Sequence, residues 1–169
     1  SVSMDNGDII GILDLTLLDR GASEEELIRL CERAVAHRVA AVCVFSEHVR
    51  FVRGLLPEEV KVASVVGGFP VGWRDPTKVS NAISEAIDFG ADEIDCVLEP
   101  TPNGGVSSKE DLQILSAMRD ACGEKTLKVI IETPLMDEHS IRATSRLAMA
   151  SGADFVKTCT CLLYTSDAA

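Results

Sequence analysis

The chain has 169 residues, enough for one domain with a buried core or for part of a larger one. Its 16 Lys and Arg stand against 27 Asp and Glu, a net charge of −11; an acidic chain without a Lys/Arg run is repelled by phosphate backbones, which argues against nucleic-acid binding. With 46% hydrophobic and 25% charged residues it is no disordered polymer, and no apolar run approaches the roughly 20 residues of a membrane span.

The N-terminal SVSMDNGD has no basic segment followed by an apolar one, so a secretory leader is not expected. The first strand is read at Ile10–Leu18. Ser23 and Glu26 form a capping box before an apolar stripe of Leu27, Leu30, Cys31, Ala34 and Val35. A second strand, Val39–Phe45, leads into a short helix after Ser46 that uses Val49 and Val52. A third strand, Val60–Val66, precedes a helix capped by Asp75, with Pro76 in its first turn. Its stripe is Val79, Ala82, Ile83, Ala86 and Ile87, and Gly90 ends it. Glu93–Leu98 is the fourth strand. Lys109 to Ala121 is a helix with Leu112, Leu115 and Met118 inward. Leu127–Thr133 is the fifth strand. Asp137 caps a last helix with Ile141, Thr144, Leu147 and Ala148 inward, closed by Gly152, and Phe155–Thr160 is the sixth strand.

These strands are rich in Val and Ile and mostly do not alternate with polar residues, as in a parallel sheet covered on both faces. The junctions Gly90-Ala91-Asp92 and Gly152-Ala153-Asp154 repeat almost verbatim. The order is β-α-β-α throughout, hence one α/β domain. An open doubly wound sheet and a (β/α)8 barrel both fit; length favours the first, and polar residues inside the strands favour the second.

Those polar residues carry the functional argument. Asp14 lies in ILDLTLL, Asp95 in EIDCVL, Lys128 in KVIIET and Lys157 in FVKTCT. A charge inside a doubly covered strand costs several kcal/mol unless it is paired or belongs to a site. On a barrel, four such residues from four strands can converge at one mouth. An ammonium that is desolvated or placed beside a second one loses its proton more readily. The neutral amine then attacks a carbonyl to form a Schiff base, which opens the adjacent C–C bond to cleavage. A carboxylate with a water can shuttle the protons. The class implied is a cofactor-free, imine-forming aldolase or lyase, set against structural ion pairs as the alternative. Other chemistries lack support. There is no Walker loop, no G-x-G-x-x-G and no G-x-S-x-G. His37, His48 and His139 stand apart. Gly67-Gly68 and Gly104-Gly105 read as turns, and Cys43 reads as packing or pocket lining. The six cysteines sit mostly in apolar stretches, as in a reduced, cytoplasmic protein. Cys159 and Cys161 form C-x-C, but no second Cys/His pair has ligand spacing, so no metal is expected.

The pieces LDLTLL (13–18), AAVCVF (40–45), Phe69-Pro70-x-Gly72, GADEIDCV (90–97), LKVIIET (127–133) and GADFVKT (152–158) together resemble the deoxyribose-phosphate aldolase family, class I aldolases built on a (β/α)8 TIM barrel. The resemblance covers roughly residues 8–160. It implies an incomplete barrel with about six βα units present, and cleavage of 2-deoxy-D-ribose 5-phosphate to acetaldehyde and D-glyceraldehyde 3-phosphate without a cofactor. It assigns Lys157 as the Schiff-base lysine, Asp95 as the proton-relay aspartate and Lys128 as a lysine lining the site. Asp14, Thr16 and Cys43 become pocket positions, and Thr158 and Thr160 flank the substrate. The partners implied are the sugar phosphate and the aldehyde, with a homo-oligomer an open option.

After KTCT the family continues with Gly-Lys and two further βα units, whereas residues 161–169 match nothing in it. We therefore read residues 1–160 as a partial barrel and 161–169 as an unrelated tail, and expect weak or no turnover. A non-catalytic binding fragment and an aldolase for another phosphorylated sugar are the competing readings.

Overall fold

The computed structural model describes residues 14–69, 72–99, 109–131 and 136–158. In chain order the elements are β1 (Asp14–Leu17), α1 (Glu24–His37), β2 (Ala41–Phe45), α2 (Ser46–Leu55), β3 (Lys61–Val66), α3 (Pro76–Asp88), β4 (Glu93–Leu98), α4 (Lys109–Cys122), β5 (Thr126–Ile131), α5 (Glu138–Ala150) and β6 (Phe155–Lys157). The strands form one six-stranded sheet in sequence order, β1-β2-β3-β4-β5-β6, with β1–β2 and β5–β6 paired in parallel. A doubly wound sheet reverses its strand order at a switch point. This one never reverses, which decides for the (β/α)8 type, incomplete at six strands.

The helices start where side chains satisfy their first N–H groups. Ser23 Oγ accepts from Glu26 N, Asp75 Oδ1 from Thr77 N and Lys78 N, and Asp137 Oδ1 from Ser140 N. Contacts divide the chain into two compact units, Ser1–Ser64 with Ala86–Glu93, and Val65–Glu85 with Ile94–Ala169. In the first, all five residues of β2 are buried, against Leu27, Leu30, Cys31 and Ala34 of α1 and Val49 and Val52 of α2. In the second, Ile94, Cys96, Val97 and Leu98 of β4 and Leu127, Val129, Ile130 and Ile131 of β5 are buried, as are Ile114, Leu115, Met118 and Cys122 of α4. Two expected core residues lie outside. Val35 is 49% exposed, beyond the edge of the α1 stripe, and Leu112 is 46% exposed. On α4 the inward place next to Leu112 belongs to Asp111, 2% exposed, because Arg74 meets its carboxylate there.

The repeated Gly-Ala-Asp junctions fold alike. Gly90 (φ 113) and Gly152 (φ 104) turn left-handed. A side chain at either would strike the aliphatic part of an arginine, Arg53 Cγ at 3.0 Å and Arg119 Cδ at 2.7 Å. Each arginine then reaches the aspartate of the same junction, Arg53–Asp92 at 2.8 Å and Arg119–Asp154 at 3.2 Å. Each aspartate also holds both backbone groups of one residue in the preceding strand region. Asp92 N donates to Val62 O and Asp92 Oδ2 accepts from Val62 N; Asp154 does the same with Leu127. The junction occurs a third time with Arg38 (φ 52) in the glycine place, its N donating to Val35 O and the next N, of Val39, to Ala34 O. The left-handed region costs an L-residue about 1 kcal/mol.

Arg38→Gly should therefore raise stability by about 0.5–1 kcal/mol, checked by urea denaturation. The Leu127 N–H holds the Asp154 carboxyl below its ordinary pKa of 3.8 against an opposing push from burial, and the hydrogen bond and charge of Arg119 lower it further. That contribution is full above pH 3.8 and drains as pH falls further. Asp154→Asn is expected to cost about 1 kcal/mol at neutral pH, a value kept small because the pair is solvent-screened. The gap between wild type and variant closes in acid, a trend readable from denaturation curves at several pH values.

Candidate active site

Asp95 is the third residue of β4, Lys128 the third of β5 and Lys157 the last of β6. Asp95 is buried at 6% exposure, and its Oδ2 lies 3.6 Å from Lys128 Nζ. The β5–β6 register pairs Lys128 with Phe155 and Ile130 with Lys157. Partners across a parallel ladder share a face, and so do alternate residues along a strand. Lys128 and Lys157 therefore stand on one face, with Lys157 two residues, or about 6.6 Å, nearer the C-terminal ends of the strands. The contact with Lys128 puts Asp95 on that face too. A carboxylate and two amines thus stand on one face of three successive strands.

The opposite face of β4 packs on the helix layer. Cys96 is fully buried, and burial first, then the neighbouring Cys122 and Asp95, push its thiol far up. Burial carries Cys122 to about 11, with Arg119 opposing, and raises Cys31, again against a nearby arginine, Arg53. These thiols are packing groups.

In the first unit, Thr16 pairs with Cys43 and Asp14 with Ala41 across β1–β2. Asp14, Thr16 and Cys43 thereby share one face. Asp14 and Thr16 are exposed and Cys43 is buried. Thr158, just after β6, is exposed. Thr160, the C-x-C pair, Gly104-Gly105 and the 161–169 tail lie outside the described residues. Among the described residues, no three His, Cys, Asp or Glu side chains gather to hold a metal ion, and no helix is long and apolar enough to cross a membrane.

One cluster had no sequence signal. Arg74, after β3, donates to Asp111 Oδ1 at 2.6 Å and to Glu99 O at 3.1 Å. Burial pulls the Arg74 pKa down, but the hydrogen bonds and charges of Asp111 and Glu110 more than reverse this, and the net direction is up. Arg74 and Asp111 are 37 residues apart, so no local pattern joins them.

The sequence profile described as DeoC/LacD family aldolase matches residues 8–169. The chain is 36% identical over 149 residues to the deoxyribose-phosphate aldolase of Ureaplasma urealyticum, covering 88% of this chain and 69% of that one. The chain belongs to the DeoC/LacD aldolase family. Within it, the deoxyribose-phosphate aldolase of Halalkalibacterium halodurans is 36% identical over 158 residues, covering 90% of this chain and 69% of the relative. Among solved structures, a putative deoxyribose-phosphate aldolase from Coccidioides immitis superposes with a TM-score of 0.83 at 30% identity, over 93% of this chain and 62% of that one. The deoxyribose phosphate aldolase of Aeropyrum pernix, described as a unique tetramer, gives 0.81 at 26% identity over 92% of this chain and 66% of its own. The chain thus spans about two thirds of the length of these family members, 69% of the first and 62% of the Coccidioides structure.

Burial and the raised thiol pKa values lead to one expectation for the folded family member. Iodoacetamide at pH 8 should leave Cys31, Cys96 and Cys122 unmodified in buffer and label all three in urea, as peptide mass spectrometry would show.

Proposed function

We propose that this chain carries the chemistry of a class I aldolase on 2-deoxy-D-ribose 5-phosphate, with Lys157 as the imine-forming amine. The observation that carries the reading is the shared face of Asp95, Lys128 and Lys157, in a chain of the DeoC/LacD family.

The neutral Lys157 amine attacks the C1 aldehyde of the open-chain sugar, and Asp95, through a water, relays the proton that lets the carbinolamine lose water to give the imine. Protonated, the imine draws electrons from the C2–C3 bond. Asp95, through a water, takes the proton of the C3 hydroxyl as that bond breaks, and C3 leaves as the aldehyde of D-glyceraldehyde 3-phosphate. Asp95 returns that proton through the water to C2 of the enamine left on Lys157, and hydrolysis releases acetaldehyde and the free amine. Lys128, its Nζ 3.6 Å from Asp95 Oδ2, lines the site beside the relay. The family resemblance gives Thr158 and Thr160 the role of flanking the substrate. The tetrameric Aeropyrum relative supports a homo-oligomer, and the free buried cysteines support a reducing, cytoplasmic setting.

Borohydride reduction with acetaldehyde tests the assignment. N-ethyl-lysine is expected at residue 157 in the wild type and nowhere in Lys157→Ala. Asp95→Asn should slow carbon–carbon cleavage by about 10²-fold or more. A wild type that gains no covalent mass would establish the non-catalytic reading instead, and cleavage of other phosphorylated sugars in preference would reassign the substrate.

A further inference from the structure

The exit from β3 is built with unusual care for a connection between two elements. Gly67 and Gly68 both turn left-handed (φ 83 and 79). A side-chain carbon on Gly68 would lie 2.4 Å from the indole nitrogen of Trp73, so the glycine is what lets the indole lie against the backbone. A side-chain carbon on Gly72 (φ 98) would lie 2.7 Å from the backbone nitrogen of Glu99, so only glycine lets the two backbones pass. The ammonium of Lys78 lies over the Trp73 ring, 4.1 Å from its centroid. Next in the chain, Arg74 joins three elements through one guanidinium. It belongs to the β3 exit, donates to Glu99 O directly after β4, and pairs with Asp111 in the first turn of α4. The Asp111 side chain is 3% exposed, so this is a desolvated pair whose separation leaves a buried charge behind. Glu99 and Asp95 lie four residues apart on the same strand line. The β3 exit and the end of β4 also lie on the side of the sheet where barrel enzymes build their sites.

We propose that Arg74 is a positioning residue for the aldol chemistry: by tying Glu99 to Asp111 it fixes the exit of β4, and with it the placement of Asp95, while holding Trp73 in its seat on Gly68. The role rests on the imine-forming reading above. It requires the planar fork of arginine, because the two acceptors are met by different nitrogens of the same group.

The chain has one tryptophan, which makes Trp73 a direct reporter of this loop. In Arg74→Ala and in the near-isosteric Asp111→Asn, acrylamide quenching of Trp73 should rise at least twofold with the helical circular dichroism unchanged. The maximum rate of borohydride trapping of acetaldehyde at Lys157 should fall at least tenfold, with little change in the half-saturating acetaldehyde concentration. Arg74→Lys should recover only a minor part of that rate, and the double variant should be no slower than either single one, as members of one interaction behave. Trapping in Arg74→Ala and Asp111→Asn within twofold of wild type overturns the positioning role, whatever the tryptophan does. Absence of trapping in the wild type overturns the imine reading and the positioning role together, so the two failures are told apart by the wild-type lane.

Discussion

Asp154 grips both backbone groups of Leu127, and this grip decides which face of the sheet the neighbouring lysines occupy. Lys128 is the next residue after Leu127, and Phe155 is the next after Asp154; they are paired in the β5–β6 register. A slip of one residue in that register would send Lys157 to the opposite face. The shared face of Lys128 and Lys157 therefore depends on a carboxylate at the far end of the strands. Arg119 steadies that carboxylate while donating to the carbonyls of Gly123, Lys125 and Gly152. The Arg53–Asp92–Val62 contacts repeat the arrangement two strands earlier, between β3 and β4. One local solution, an arginine over a left-handed glycine and an aspartate clasping a strand, thus serves twice to set strand positions.

Charge burial explains the rest of the polar pattern. A carboxylate within a sheet covered on both sides is costly unless an opposite charge stands beside it. Asp95 meets this requirement with Lys128 on the adjacent strand, and Asp111 meets it with Arg74. The two pairs differ in what they are suited to. Asp95 and Lys128 stand on the face that also carries Lys157. Arg74 and Asp111 lie at the strand exits and join backbone segments. Cys96, between them on β4, turns to the helix layer, where burial keeps its thiol protonated. Strand alternation alone separates this inert sulfur from the Asp95 carboxylate one residue earlier.

Much of this was written locally. The helix starts at Ser23, Asp75 and Asp137 are side-chain oxygens placed two or three residues before free N–H groups, and each was found in its place. The twin Gly-Ala-Asp junctions announced a repeated turn. Asp95, Lys128 and Lys157 were conspicuous because charge is rare in apolar strands. Where reading failed, the cause was a distant partner. Leu112 looked like a core residue because leucine beside a helix stripe normally is one. Only the approach of Arg74 makes Asp111 the inward residue and turns Leu112 to water.

By itself the sequence determined which segments are strands and helices, because those follow from spacing and capping within a few residues. It also determined which charged side chains needed an explanation, because the cost of burying charge depends on the residue and its immediate apolar neighbours. The tertiary structure alone decided the strand order, which chose a barrel-type sheet over a doubly wound one. It alone decided that Asp95 faces Lys128 and that Arg74 reaches Asp111. These contacts join residues 33 and 37 positions apart, and separations of that size are set by how the sheet is threaded, which no local pattern encodes.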